Sequence, residues 1–177
     1  MDVLYFMKSE HESLLGALNR FLAAGGTAQK KEALGSLKSI LAVHLKLEET
    51  YLYPELAGLF PDSDVVVDVA TAEHVVIGKT LDLLAKAMSK PVSEQAGLDK
   101  KIDTLAGLVR KHVETQEQSL MPKLRQLIPT VAREELGEVL IDAKEEMMAA
   151  PELVSLLPES SETQAKKASG AQKSRRA

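Results

Sequence analysis

The chain has 177 residues, the length of one ordinary domain, and it is 45% hydrophobic and 27% charged, with no cysteine and no tryptophan. The absence of cysteine excludes disulfides, thiol catalysis, iron–sulfur clusters and zinc–thiolate sites, so any metal must be bound through nitrogen and oxygen. The net charge of −4 and the aromatic content of 3% disfavour nucleic acid as a partner, because an acidic surface repels phosphate and base stacking needs aromatic side chains.

Four long segments with helical periodicity follow one another, separated by breaks that contain glycine or proline. They predict helices at about residues 3–23, 29–59, 64–89 and 93–127, and Thr130 begins a shorter fifth helix that reaches about residue 148. The connections are short, so consecutive helices are expected to be antiparallel neighbours. The sequence therefore predicts an all-α protein, an up-down antiparallel four-helix bundle with a short fifth helix, in one domain over residues 1–150.

Residues 151–177 are predicted to form a flexible, disordered C-terminal tail. From Pro158 onward five bases stand against two acids, a net charge of +3, in a stretch rich in Ser, Ala, Gln and Gly. The rest of the chain then carries −7. No segment is apolar and long enough to span a bilayer and no secretory signal is visible, so we expect a cytoplasmic protein without a membrane partner.

All four histidines lie on the apolar seams, one in each long helix: His11, His44, His74 and His112. Measured from loop centres near residues 26, 61 and 91, the histidines of neighbouring helices differ in height by about one helical turn. Four imidazoles are therefore expected to converge at one level of the core. Glu48 and Gln116 follow one turn after a histidine on the same seams. A buried polar group without a partner costs roughly 2–7 kcal/mol, so this set requires mutual hydrogen bonds or a bound ion.

An internal duplication supports this interpretation. Residues 44–56, HLKLEETYLYPEL, recur 68 positions later as residues 112–124, HVETQEQSLMPKL, with the histidine, the second glutamate, the last two leucines and the proline in register. The pair Glu10-His11 likewise recurs as Glu73-His74. The sequence thus predicts two similar helical hairpins, each contributing one lone histidine and one histidine with a nearby carboxylate or amide.

Imidazole and carboxylate ligands suit iron, manganese or zinc in the core of a bundle. His44 and Glu48, four residues apart, project from one face toward one ion, and the two oxygens of Glu48 can bridge two ions. Four histidines and two bridging carboxylates would fill about eight of the twelve positions of two octahedral ions. The remaining positions are open to water, oxide or an exogenous small molecule.

The lone histidine, the HxxxE motif, the EH pair and the second histidine–acidic helix together resemble the hemerythrin-like HHE cation-binding family over about residues 3–127. The Leu-Tyr-Pro that follows Glu48 and Glu49 strengthens the resemblance. It implies a non-haem centre of two irons, with manganese or zinc as alternative metals, that binds or senses O2, NO, peroxide or iron. The ligands carried over are His11, His44, Glu48, His74, His112 and one carboxylate of the fourth helix.

Two departures from the family pattern bear on the site. Position 116 is Gln where many members have Glu, and the next residue gives the spacing HxxxxE. Glu117 lies about 140° around an α-helix from His112, against about 40° for Gln116, but its side chain is long enough to reach back. Glu117 is the predicted ligand, with Gln116 as the alternative. Second, Gly78 stands where hemerythrin proper has another histidine, which leaves a more open ion and favours sensing, redox or storage over simple oxygen carriage.

Three functions remain open, and the sequence leaves enzymatic activity undecided. The leading one is a metal-binding or sensing protein for a small diatomic ligand or peroxide. The alternatives are a small di-iron redox enzyme of peroxidase, oxidase or nitrosative-stress repair type, and an interaction module with a structural metal and a protein partner that the sequence does not identify. Without a metal, the same residues would form a buried hydrogen-bond network. For Tyr5, Tyr51 and Tyr53, packing is the expected role.

Overall fold

The structure, a computed structural model, describes residues 1–150, and no strand occurs in that range. The helices are α1 (Val3–Ala23), α2 (Thr27–Leu47), α3 (Tyr53–Leu56), α4 (Ser63–Met88), α5 (Leu98–Thr115), α6 (Met121–Leu127) and α7 (Thr130–Ala149). One π-helical turn joins α2 to α3 and another joins α5 to α6, which makes five continuous rods. The predicted all-α fold with antiparallel packing is confirmed. The predicted tail, residues 151–177, lies outside the described residues.

The predicted boundaries hold for α1, α4 and α7 to within a residue or so and shift for the other two rods. The second rod spans residues 27–56 rather than 29–59, and the chain then passes through Gly58, with φ 75°, and Asp62, with φ 65°. The fourth rod begins at Leu98 rather than near residue 93, because Gly97 adopts φ 73°. Backbone in this left-handed region cannot continue an α-helix, so each such residue marks a helix end.

The two π turns, Glu48–Leu52 and Gln116–Leu120, were not predicted. They stand 68 positions apart, in register with the duplication, and Pro54 and Pro122 follow them. Proline has no N–H to donate, and the residue before each proline donates its N–H five residues back, Tyr53 to Glu48 and Met121 to Gln116. The wider turn rotates the side chains beyond it relative to an uninterrupted α-helix.

Helices α1 and α2 form one hairpin and α4 and α5 the other, and contacts of α1 with α5 and of α2 with α4 close the bundle. Two apolar clusters fill its two halves. On α1, Met7 belongs to one cluster and Leu14 to the other, with His11 between them. On α5, His112 lies in the same way between Val109 and Leu120. A polar layer therefore crosses the bundle where its apolar core is interrupted.

Helix α7 covers the face of the bundle that is formed by α1 and α2. Its Lys144 pairs with the buried carboxylate of Glu10, and its Arg133 donates from Nε to Asp2 Oδ2 at 2.9 Å. Asp2 also caps α1, accepting from the N–H of Leu4 at 2.9 Å. None of the described helices is both long and apolar enough to cross a bilayer.

Candidate metal centre

The four histidines come from α1, α2, α4 and α5 and meet in the polar layer. Their residues are at most 1% exposed. Ring centroids are 5.2 Å apart for His11 and His44, 5.5 Å for His44 and His112, and 5.0 Å for His74 and His112. The register inferred from rise per residue thus brings all four rings to one level.

Glu48 lies at the middle of this layer, with no exposed surface. Its Oε1 is 3.0 Å from His44 Nε2, while its Oε2 is 3.0 Å from His74 Nε2 and 3.3 Å from His112 Nε2. The two oxygens therefore face different histidines. Potential ligand atoms within 4.8 Å of one another form two groups that share this carboxylate: His11, His44 and Glu48, and Glu48, His74 and His112.

Two further carboxylates hold histidine rings from outside the layer. Glu49 Oε1 lies 2.8 Å from His74 Nδ1, and Glu117 Oε1 lies 3.0 Å from His11 Nδ1. Since an ionised carboxylate only accepts, Nδ1–H is the donor in both bonds, and Nε2 of both rings points inward. Glu49 and Glu117 are equivalent residues of the duplicated hairpins. The predicted ligand Glu117 is thus placed at the outer nitrogen of His11, with its side chain 39% exposed.

Gln116, the alternative to Glu117, lies inside the layer and is 4% exposed. Its Oε1 is 3.1 Å from His11 Nε2, and its Nε2 is 3.4 Å from His112 Nε2. Gln116 is the duplicate of Glu48, and it takes the same position on the opposite hairpin. An amide there supplies no negative charge, so Glu48 is the one carboxylate that faces the Nε2 atoms among the described residues.

Tyr53 is a site residue that the sequence assigned to packing. It is 2% exposed, and its hydroxyl donates to Glu48 Oε2 at 3.1 Å and accepts from Gln116 Nε2 at 3.1 Å. The same oxygen is 3.1 Å from His74 Nε2. Tyr53 follows Glu48 by five residues, which is one turn in a π-helix, so the π turn carries it to the level of Glu48. Pro54, immediately after Tyr53, was the feature of the sequence that could have indicated the π turn.

Four groups of the layer, His11, Glu48, Tyr53 and His74, have shifted pKa values. Burial and the neighbouring His44 lower the pKa of His11. Burial also opposes the charged form of His74, but hydrogen bonds to Glu48 and Glu49 prevail and raise its pKa to about 9. For Glu48, burial favours the neutral form, yet the imidazoles of His44 and His112 hold the carboxyl pKa well below its usual range. Burial and Glu48 raise the pKa of Tyr53. The layer therefore favours an anionic Glu48 beside groups that can share positive charge with it.

Two pairs of atoms in the layer lie within hydrogen-bond distance without a donor that the surrounding contacts fix. With Nδ1–H given to Glu117, a neutral His11 turns an Nε2 lone pair toward Gln116 Oε1. The Nε2 atoms of His44 and His112 are 3.3 Å apart. Glu48 Oε1 has no well-aligned hydrogen bond within the described part of the chain, and neither has His44 Nδ1. Lone pairs that point at each other need a proton or a cation between them. Nitrogen and oxygen atoms about 3.0–3.4 Å apart have the spacing of ligands that bind one ion at about 2.1 Å.

Comparison with known proteins points to one family. A family model described as "Hemerythrin HHE cation binding domain" matches residues 2–124. Those residues contain both hairpins and every residue of the polar layer. The sequence has no significant match among curated proteins and none among solved structures.

Proposed function

The chain belongs to the hemerythrin HHE cation-binding family, and from that premise we propose that it is a non-haem metalloprotein whose polar layer holds two iron ions. The observation that carries the proposal is the position of Glu48, whose two oxygens face different sets of histidines. His11 and His44 would hold one ion and His74 and His112 the other, and Glu48 could contribute a carboxylate oxygen to each. Manganese or zinc would suit the same nitrogen and oxygen ligands.

In the proposed site the outer carboxylates orient rings. Glu117, predicted as a ligand from spacing, holds His11 through Nδ1, as Glu49 holds His74. Gln116 lines the centre in the position of a ligand. Acceptors on the outer nitrogen fix the tautomer and make the inner nitrogen more basic, and their loss typically lowers metal affinity by roughly 10–100-fold.

The charge balance of the site favours an exogenous ligand. One buried carboxylate and neutral imidazoles leave two divalent ions with excess positive charge, and the amide of Gln116 does nothing to reduce it. Buried unbalanced charge is unfavourable, so a small anionic or reducible molecule would be bound there. Two iron ions at such a site supply reversible binding or redox chemistry toward O2, NO or peroxide. We therefore propose a binding or sensing role for such a ligand.

Metal analysis with matched carboxylate variants tests the proposal. We expect wild-type protein purified with and without air to take up about two irons per chain. Glu48→Gln should lose at least one of them, while Glu55→Gln, at an exposed position of α3, should bind as wild type does. Circular dichroism establishes that both variants are folded. Wild-type protein with less than one iron per chain, or Glu48→Gln with undiminished iron, would contradict the proposal.

A further inference from the structure

A cavity of about 250 Å³ opens on the α4–α5 face of the bundle and reaches the polar layer. His112 and Gln116 line its inner end. Its walls are almost wholly apolar and are formed by Val65, Val66, Val69, Ala70 and Leu120. A volume of this size is several times that of a diatomic molecule and approaches that of an organic ligand site.

The duplication shows how this face differs from the equivalent face of the first hairpin. The corresponding face of the first hairpin, formed by α1 and α2, is covered by α7. Residues that narrow that face are replaced by smaller ones on the second: Phe6 by Val69, Met7 by Ala70, and Tyr51 by Ser119. Phe6 is 5% exposed, whereas its counterpart Val69 is 55% exposed. Among residues 1–150, the second face therefore has neither the helical cover nor the bulky side chains of the first.

One polar group lies just behind the wall without a partner in the described part of the chain, and a χ1 rotation, which exchanges the places of Oγ1 and Cγ2, would turn it toward a ligand. Thr115 lines the cavity, and its Oγ1 is buried without a hydrogen-bond partner in the described residues. A helical threonine commonly donates to the carbonyl four residues earlier, and Thr80 and Thr104 do so at 2.8 and 2.7 Å. Thr115 makes no such bond. The equivalent residue of the first hairpin is Leu47, whose apolar side chain is buried. An unpaired buried hydroxyl is unfavourable unless something binds it.

We propose that this cavity binds a small, neutral, mainly apolar organic molecule with one hydrogen-bonding group, held by the Thr115 hydroxyl beside His112 and Gln116. The charged lining residues are of both signs, Asp62 and Glu73 against Lys123, and none is fully buried, so the interior selects no net charge. This inference goes beyond the proposed function, because the organic molecule is distinct from the small ligand proposed for the metal and would bind beside it. Binding to the cavity is measured independently of metal content, so either proposal can fail alone.

The test uses N-phenyl-1-naphthylamine, a neutral dye that fluoresces in apolar sites, and its displacement by 4-propylphenol or propylbenzene. We expect saturable dye binding at one site per chain. Ala70→Met restores the residue found at the equivalent position of α1 and should weaken binding at least tenfold. Ser119→Tyr, which restores the counterpart of Tyr51, should do the same by a different route. Val76→Met is the control, since Val76 lies on α4 outside the cavity and is 48% exposed.

The hydroxyl is tested by comparing the two competitors, which differ only in the phenol group. Wild type should prefer 4-propylphenol about fivefold, as one net hydrogen bond provides, and Thr115→Val should abolish the preference without changing propylbenzene binding. Absence of saturable binding, or equal binding by both filled variants and wild type, would overturn the proposal. The proposal would also be overturned if the protein sedimented as a dimer and bound the dye only after the dimer dissociated. A second copy of the chain would then be the occupant of this face.

Discussion

Replacing Glu117 by Gln distinguishes an orienting carboxylate from a metal ligand. The change keeps the length of the side chain and one acceptor oxygen but removes the charge that faces His11 Nδ1 at 3.0 Å. Loss of such a partner typically weakens metal binding by roughly 10–100-fold, which corresponds to about 1.4–2.7 kcal/mol. Because the Glu117 side chain is 39% exposed, solvent screens part of its charge. We therefore expect a loss of about tenfold.

The assay is a titration of metal-free protein with ferrous iron against a competing chelator, which gives both affinity and the number of ions per chain. Glu117→Gln should bind the same number of ions as wild type, more weakly. Glu49→Gln should show a larger loss, because the equivalent Glu49 side chain is 22% exposed and less screened. Glu114→Gln, one turn away on the exposed surface of α5, is the control and should leave both quantities unchanged.

The number of ions decides between the two roles. Were Glu117 a ligand, its loss would remove an ion or empty one side of the site, and the titration would end at a lower iron content. That result would contradict the position of Glu117 outside the polar layer, at the outer nitrogen of His11. Gln116→Glu provides the complementary measurement, since a carboxylate at the position equivalent to Glu48 should raise iron affinity if Gln116 faces the ions.

Three further predictions concern stability. Gly137→Ala should destabilise the fold by about 1–3 kcal/mol despite a better helix propensity, because the new Cβ would overlap the Met1 carbonyl oxygen, and urea unfolding measures this. Although burial opposes it, the Leu4 N–H and Arg133 hold the pKa of Asp2 below its usual 3.8. Asp2→Asn keeps a capping oxygen but loses the charge that faces Arg133, which should cost about 1 kcal/mol. In urea unfolding this loss should be full above pH 4 and vanish as pH falls through the folded pKa of Asp2. Tyr53→Phe leaves buried polar partners unpaired and should destabilise metal-free protein by about 1–3 kcal/mol, and iron-loaded protein less, in paired urea titrations.

The level at which the histidines meet was predictable because it depends only on regular quantities. Each helix rises uniformly, each loop is short, and His11, His44, His74 and His112 lie on apolar seams, so counting residues from the loops gives their height. The apolar periodicity fixes which face they occupy. The fold and the set of converging imidazoles follow from these facts alone.

Residues beyond the π turns were harder to predict, because counting assumed a regular α-helix. In such a helix Tyr53 would point well away from Glu48, whereas the π turn places its hydroxyl against that carboxylate. The outer position of Glu117 depends on the same local geometry. A signal was nonetheless present: Glu117 is the duplicate of Glu49, so a common role for the two residues was the simpler hypothesis.

The two hairpins share a scaffold and differ in chemistry, and this asymmetry gives the proposed site a direction. The first hairpin supplies the charged and phenolic groups, Glu48 and Tyr53, beneath the cover of α7. The second has Gln116 and Met121 at the equivalent positions, and within the described part of the chain a cavity on its face reaches His112. An exogenous molecule should therefore approach from the second hairpin, where neutral groups leave the ion least compensated. In the proposed site the first hairpin would anchor the metal, because its negative charge is buried and its face is covered by α7.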